Sequence, residues 1–148
     1  MTYVWDTNIF IKAVRNPKFL TDLNDQYSFF NQTNEVFVSA VTVGELHSFA
    51  LKNRWGSKRL ADMTNLLEKT TSIPVTNKPE LINMYADIDV YSQSQHPTLK
   101  LPTSARKMGK NDLWIATTTA LTNGILLTTD GDFDHLEGVF LSRIKIPD

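Results

Sequence analysis

Cysteine is absent from the 148-residue chain. Its absence excludes a disulfide framework and any thiolate metal site, and it is compatible with a reducing compartment. Long apolar runs are missing too: nowhere do about 18 apolar residues stand together, the length a membrane-spanning helix needs. The opening stretch "MTYVWDTNIF" has no basic segment leading into a long apolar one. No membrane span or secretory leader is therefore expected, and the chain reads as cytoplasmic. An excess of one charge is also lacking. With a formal net charge of -1, composition alone does not advertise nucleic-acid binding, although a local basic patch can still provide it. Histidine is scarce, and His47, His96 and His135 fall in no ligand spacing, so none is assigned a chemical role.

What is there suffices for one core. An apolar content of 41% with no shift in composition along the chain predicts a single domain over residues 1–148. Short β-rich runs, "TYVW" (2–5), "VFVS" (36–39), "SIPV" (72–75), "GILLT" (124–128) and "VFL" (139–141), are separated mostly by helical patterns. Helices are expected in "NIFIKAV", near Leu20 to Phe30, in "TVGELHSFALKNR" and "KRLADMTNLLEKT" with Trp55-Gly56 between them, in "KPELINMYADIDVYSQ", and in "NDLWIATTTALTNG", which ends at a candidate C-cap, Gly124. His96 to Lys110 reads as a loop. Strands alternating with helices predict an α/β fold with a parallel sheet.

In such a sheet the carboxyl ends of all strands share one edge, where ligands bind. Asp6 follows the first strand, Asp130 and Asp132 follow the fourth, Glu45 lies early in the helix after the second, and Asp112 opens the helix before the fourth. Taken singly, each acid has an ordinary role. "TVGE" reads as a capping box in which Glu45 reaches back to the Thr42 amide. Asp6, Asn111 and Asp112 suit helix starts, and the Asp130-Gly131 pair suits a turn. Taken together they need more explanation, because capping does not require charge where serine or asparagine would serve. Two carboxylates about 4 Å apart repel by roughly 4 kcal/mol at an effective dielectric of 20. Such a cluster must take up protons or bind a cation, and oxygen ligands without cysteine favour Mg²⁺ or Mn²⁺ over zinc.

These segments resemble a known family. "VWDTNIF" around Asp6, "VTVGEL" around Glu45, "NDLWIATTTA" around Asp112 and "LLTTDGDF" around Asp130 are similar, in order and spacing, to the four motifs of PIN-domain nucleases, and most of all to VapC-type toxins. The resemblance covers almost the whole chain. It implies a PIN-like three-layer α/β/α fold whose central parallel sheet, in the order 3-2-1-4-5, is surrounded by helices. It also implies Mg²⁺ or Mn²⁺ (one ion or two), endonucleolytic cleavage of an RNA substrate to 5′ phosphate and 3′ hydroxyl ends, a homodimer and a cognate antitoxin. Carried over, the catalytic acids are Asp6, Glu45, Asp112 and Asp130. The metal ligands are Asp6, Asp112 and Asp130, with Asp132 auxiliary, while Asn8 and Thr129 match polar positions beside them. Glu45 would ligate the metal or orient the attacking water.

An acidic pocket needs basic side chains around it to hold RNA. Residues 51–60 contain Lys52, Arg54, Lys58 and Arg59 without an acid, and residues 100–110 contain Lys100, Arg106, Lys107 and Lys110, also without one. Arg106, Lys107 and Lys110 are the preferred substrate contacts, because they run straight into Asp112. Any one of these lysines also suits a solvated face or an antitoxin contact. Trp55 has the chemistry to stack on a base but suits a helix corner better; Trp5 and Trp114 read as core. Two rival classes fit less well. An aspartyl-nucleophile phosphatase would place a second acid two residues after Asp6, where this chain has Asn8. A catalytically silent RNA-binding or regulatory module would have no need of all four acids.

Overall fold

The computed structural model describes every residue from Met1 to Asp148. Five strands alternate with six helices: β1 (Thr2–Trp5), α1 (Thr7–Arg15), α2 (Pro17–Tyr27), β2 (Glu35–Ser39), α3 (Ala40–Lys52), α4 (Ser57–Glu68), β3 (Thr71–Ile73), α5 (Pro79–Ser92), α6 (Lys110–Leu121), β4 (Ile125–Thr128) and β5 (Ser142–Lys145). All neighbours pair in parallel, in the order β3-β2-β1-β4-β5.

Period-two alternation sorts the core onto two faces. Tyr3 and Trp5, Val36 and Val38, and Leu127 face one layer with Phe10, Leu23, Leu46 and Met63, which come from α1 to α4. Val4 and Leu126 face the other, with Ile88 and Tyr91 of α5 and Leu113 and Ile115 of α6. Burial on both faces explains why the central strands are nearly continuous apolar runs. The result is the expected three-layer α/β/α arrangement. No helix is long and apolar enough to cross a membrane.

Element boundaries differ from expectation in places that have local causes. The last strand was expected at 139–141 but forms at Ser142–Lys145. Gly138 takes a φ of +77°, and the amides of Val139, Phe140 and Leu141 all point to the Leu136 carbonyl. "VFL" is therefore consumed in a turn, and its bulk packs against the second core face, with Phe140 5.3 Å from the Tyr91 ring. The edge strand is instead polar, Arg143 and Lys145 pairing with Asp134 and Glu137, which suits an edge exposed to other chains. β3 stops at Ile73 because Pro74 has no amide to donate. α2 begins earlier than expected, with Pro17 in its first turn and the Asn16 side chain accepting from the Phe19 amide. Asn123, at φ +52°, takes the left-handed position after α6 that Gly124 was expected to fill; a side chain at Gly124 would instead meet Val4 Cγ2 at 3.0 Å. The 96–110 loop is irregular but anchored. Leu101 and Met108 are buried, the Arg106 amide donates to Ser92 O (2.8 Å), and Arg106 Nη1 donates to Gly131 O (3.3 Å).

Candidate functional site

Strands β1 and β4 end side by side at the sheet's topological switch, and Asp6 begins the site there. Its amide donates to Leu127 O at 2.9 Å, tying the end of one strand to the other. As N-cap of α1 its Oδ1 accepts from the Thr7 amide at 2.7 Å, and its Oδ2 accepts from Thr128 Oγ1 at 2.8 Å. Thr128 Oγ1 in turn accepts from the Asp130 amide at 2.9 Å. Asp130 Oδ1 then accepts from the Asp132 amide, also at 2.9 Å, capping a short 3₁₀ turn, Gly131–Leu136. One hydrogen-bonded chain thus sets the relative positions of three acids.

Glu45 is free of the capping role that its sequence context suggests. α3 starts at Ala40 with Ser39 as N-cap, its Oγ accepting from the Val41 amide, so Thr42 lies inside the helix and no capping box forms. Glu45 Oε1 instead accepts from Thr7 Oγ1 at 2.7 Å. Asp112 is not a cap either, since α6 begins at Lys110 behind Gly109 and has no side-chain cap. It sits in the first turn, where the positive end of the helix favours its charge.

Asp6, Glu45, Asp112 and Asp130 line one cleft of about 680 Å³, together with Asn8 and Lys52. Carboxylate oxygens of Asp112, Asp130 and Asp132 lie within 4.8 Å of one another. Asp6 stands outside that triad, with both its oxygens already accepting hydrogen bonds. Crowding perturbs ionisation. Burial pushes Asp112 up to about 7, and the charges of Asp6, Asp130, Asp132 and Glu45 push in the same direction. Asp6 rises to about 6, chiefly through burial, against the opposing pull of the Thr128 and Thr7 hydrogen bonds and with further push from Asp130 and Glu45.

The candidate substrate residues divide. Asn8 lines the acidic cleft. Thr129 opens into an adjoining cavity, Arg106 and Lys107 line another one beside Asp132, and Lys110 is exposed at the start of α6. Of the basic run 51–60, Lys52 reaches the cleft, whereas Lys58 pairs with Asp62 in a separate groove. Trp55 is buried against Phe49, with ring centroids 5.6 Å apart, and so offers no face to a base. Trp5 is core as expected, while Trp114 is half-buried against Tyr85. His135 is structural: its Nε2 lies 2.6 Å from Ser92 Oγ, its ring lies parallel to Tyr91, and burial followed by the Arg106 charge lowers its pKa to about 4. Sequence reasoning missed Thr7 and Thr128, whose hydroxyls hold Glu45 and Asp6. Their adjacency to the acids in "DT" and "TTD" was the available signal.

Residues 3–139 match the sequence profile of the PIN domain family. No curated protein matches the chain. Solved structures similar to it include VapBC2 from Rickettsia felis bound to a DNA fragment from its promoter (17% identity, TM-score 0.73). VapBC-1 from nontypeable Haemophilus influenzae (20%, 0.71) and VapBC-5 from Mycobacterium tuberculosis, of the VapBC family of toxin–antitoxin systems (23%, 0.64), are similar as well. In each case 98% of this chain and 98% of the other are covered. At these identities the likeness speaks for the fold.

Proposed function

The chain belongs to the PIN domain family, and from that premise we propose that it acts over residues 1–148 as one Mg²⁺- or Mn²⁺-dependent endoribonuclease domain, the toxin of a toxin–antitoxin pair. The observation that carries this reading is the meeting of Asp6, Glu45, Asp112 and Asp130 from four separate segments in one cleft. Lys52 is the only cationic side chain lining it. The donors fit a hard divalent ion: they are all carboxylate oxygens, three of them close enough to share one ion, and two of the acids resist ionisation without a counter-charge.

Asp6, Asp112 and Asp130 would hold the ion, with Asp132, whose carboxylate lies within 4.8 Å of those of Asp112 and Asp130, as an auxiliary ligand. When bound, the ion supplies charge neutralisation at the scissile phosphate and a more acidic water. The protein's own groups do the rest. Thr7 and Thr128 fix Glu45 and Asp6, so that neither carboxylate must reorganise when substrate arrives. Glu45 accepts the proton of the attacking water. Asn8, Thr129, Arg106, Lys107 and Lys110 bind RNA around the acids, their cations offsetting the repulsion between phosphate and cleft. The VapBC neighbours support a cognate antitoxin, and a homodimer, implied by the motif resemblance alone, completes this reading.

The test compares cleavage of bulk RNA with Mn²⁺ and with chelator, in the parent and in Glu45→Gln. Mn²⁺-dependent cleavage is expected in the parent. Glutamine keeps an oxygen to accept from Thr7, so the variant should melt like the parent yet cleave about 10²-fold more slowly. Equal rates would remove Glu45 from the reaction. No product from the parent would leave a PIN fold that binds without cutting.

A further inference from the structure

A second cavity, of about 610 Å³, adjoins the acidic cleft and shares Asn8 and Ile11 with it. Its other lining residues include Lys12, Arg15, Asn16, Thr129 and one acid, Asp148. We propose that this cavity is a phosphate subsite for the RNA strand, with Lys12 and Arg15 contacting the backbone next to the cleaved bond. The inference rests on the nuclease reading above and adds to it residues that no motif singled out.

The geometry follows from α1. Its N-cap is Asp6 in the acid cluster, and Lys12 and Arg15 stand in its last turn. At 1.5 Å per residue the helix places Lys12 about 9 Å and Arg15 about 13 Å along the axis from Asp6. A strand with its scissile phosphate at the acids therefore carries a neighbouring phosphate past these cations. Cations in a last turn also complement the helix dipole, which accounts for their sign. It does not account for how they are held. Lys12 Nζ stands over the Phe19 ring, 5.1 Å from its centroid, and donates to Pro147 O at 3.3 Å, so the ammonium is held at the cavity wall by neutral groups, with no carboxylate within ion-pair distance. Arg15 has no carboxylate within ion-pair distance, unlike Lys18, which pairs with Asp22 at 2.6 Å. The Asn8 amide, the Asn16 amide and the Thr129 hydroxyl add neutral donors. Two cations and three neutral donors beside a single acidic side chain suit a ligand made of anionic oxygens and hydroxyls. Arg106 and Lys107 line their own cavity, beside Asp132.

The test measures RNA cleavage in Mn²⁺ over a range of salt for the parent, Arg15→Gln, the double variant Lys12→Gln/Arg15→Gln, and Lys18→Gln as a control for net charge. The double variant should raise KM about 10-fold with kcat within about twofold, since it removes binding shared by ground and transition states. The slope of log(kcat/KM) against log[salt] should shrink by about 0.7 for each phosphate left without its cation, and Lys18→Gln should move neither. Lys12 also supports Phe19, so if the double variant melts lower, Arg15→Gln alone decides, with the Mn²⁺-induced rise in melting temperature confirming an intact metal site. Unchanged KM and slope, or an equal change in Lys18→Gln, would overturn the subsite. If the parent does not cleave RNA, the nuclease reading fails separately. Anisotropy of labelled single-stranded RNA on the same proteins then decides the subsite by whether Arg15→Gln weakens binding.

Discussion

Replacing Asp6 with asparagine is expected to lower RNA cleavage by roughly two to three orders of magnitude while raising the melting temperature of the metal-free protein at pH 8. The two effects have one cause. Asp6 is 4% exposed and its pKa has risen to about 6, so at pH 8 the fold holds an ionised carboxylate in a place that disfavours it. A rise of about two pH units corresponds to about 3 kcal/mol of lost stability once the group is ionised. Asparagine has the same shape, and its oxygen still accepts from the Thr7 amide. Its NH₂ faces Thr128 Oγ1, which now donates to Asp6 and must turn, at a cost of about 1 kcal/mol. A net gain of about 1–2 kcal/mol remains, or about 3–6 °C for a chain of this size. Activity and stability moving in opposite directions mark a residue kept for chemistry. A variant that loses both together would instead show Asp6 to be a structural cap.

The metal-free protein is also expected to lose stability as pH rises from about 5 to 8, in a way that Asp112→Asn suppresses and Mn²⁺ reverses. Asp6 and Asp112 have folded-state pKa values of about 6 and about 7 against an ordinary 3.8. Between the ordinary and the raised values the native state holds more protons than the unfolded chain, so stability falls as pH climbs through that window. His135 acts in the opposite direction: lowered from 6.5 to about 4, it costs stability as pH falls through that range. Its contribution is common to parent and Asp112→Asn and cancels in their comparison. Asp112 is only half-buried, so solvent screening keeps its share below what its shift suggests. Mn²⁺ at about 100 times its Kd should return about 2.7 kcal/mol to the parent and much less to the variant. Melting temperatures across pH, with and without Mn²⁺, measure this directly. Parallel curves for the two proteins would show that Asp112 titrates normally and that the cleft has no need of a cation.

The acids were legible in the sequence because a parallel sheet leaves no choice about where strand ends meet. Asp6 after "TYVW" and Asp130 after "GILLT" had to share an edge once both runs were read as strands. Glu45 was harder. Its capping-box alternative arose from placing the start of α3 at Thr42 rather than Ala40, and two residues at a helix end are within ordinary boundary error. What remained hidden was everything set by contacts distant in sequence. The Thr128 to Asp6 hydrogen bond joins residues 122 positions apart, and the Thr7 to Glu45 bond joins residues 38 apart. Local pattern carries no trace of either. Lys12 and Arg15 were passed over for the same reason: nothing in the local pattern marks the cavity that they line. The close grouping of Asp132 with Asp112 and Asp130, within 4.8 Å, was likewise set by the 3₁₀ turn after Asp130 and not by any spacing in the sequence. The last strand was misplaced because "VFL" is more β-like than "SRIK", and only the ladder to β4 shows that the polar segment does the pairing.

Calorimetric titration of the metal-free protein with Mn²⁺ near pH 7, repeated in buffers of different ionisation enthalpy, addresses the crowded carboxylates most directly. Saturable heats are expected, with proton release visible as buffer dependence, because Asp112 is partly protonated before the ion arrives. Asp130→Asn should weaken the binding, and Asp112→Asn should also abolish most of the proton release. Blank heats from the parent, or binding that survives both substitutions unchanged, would contradict a divalent site in this cleft.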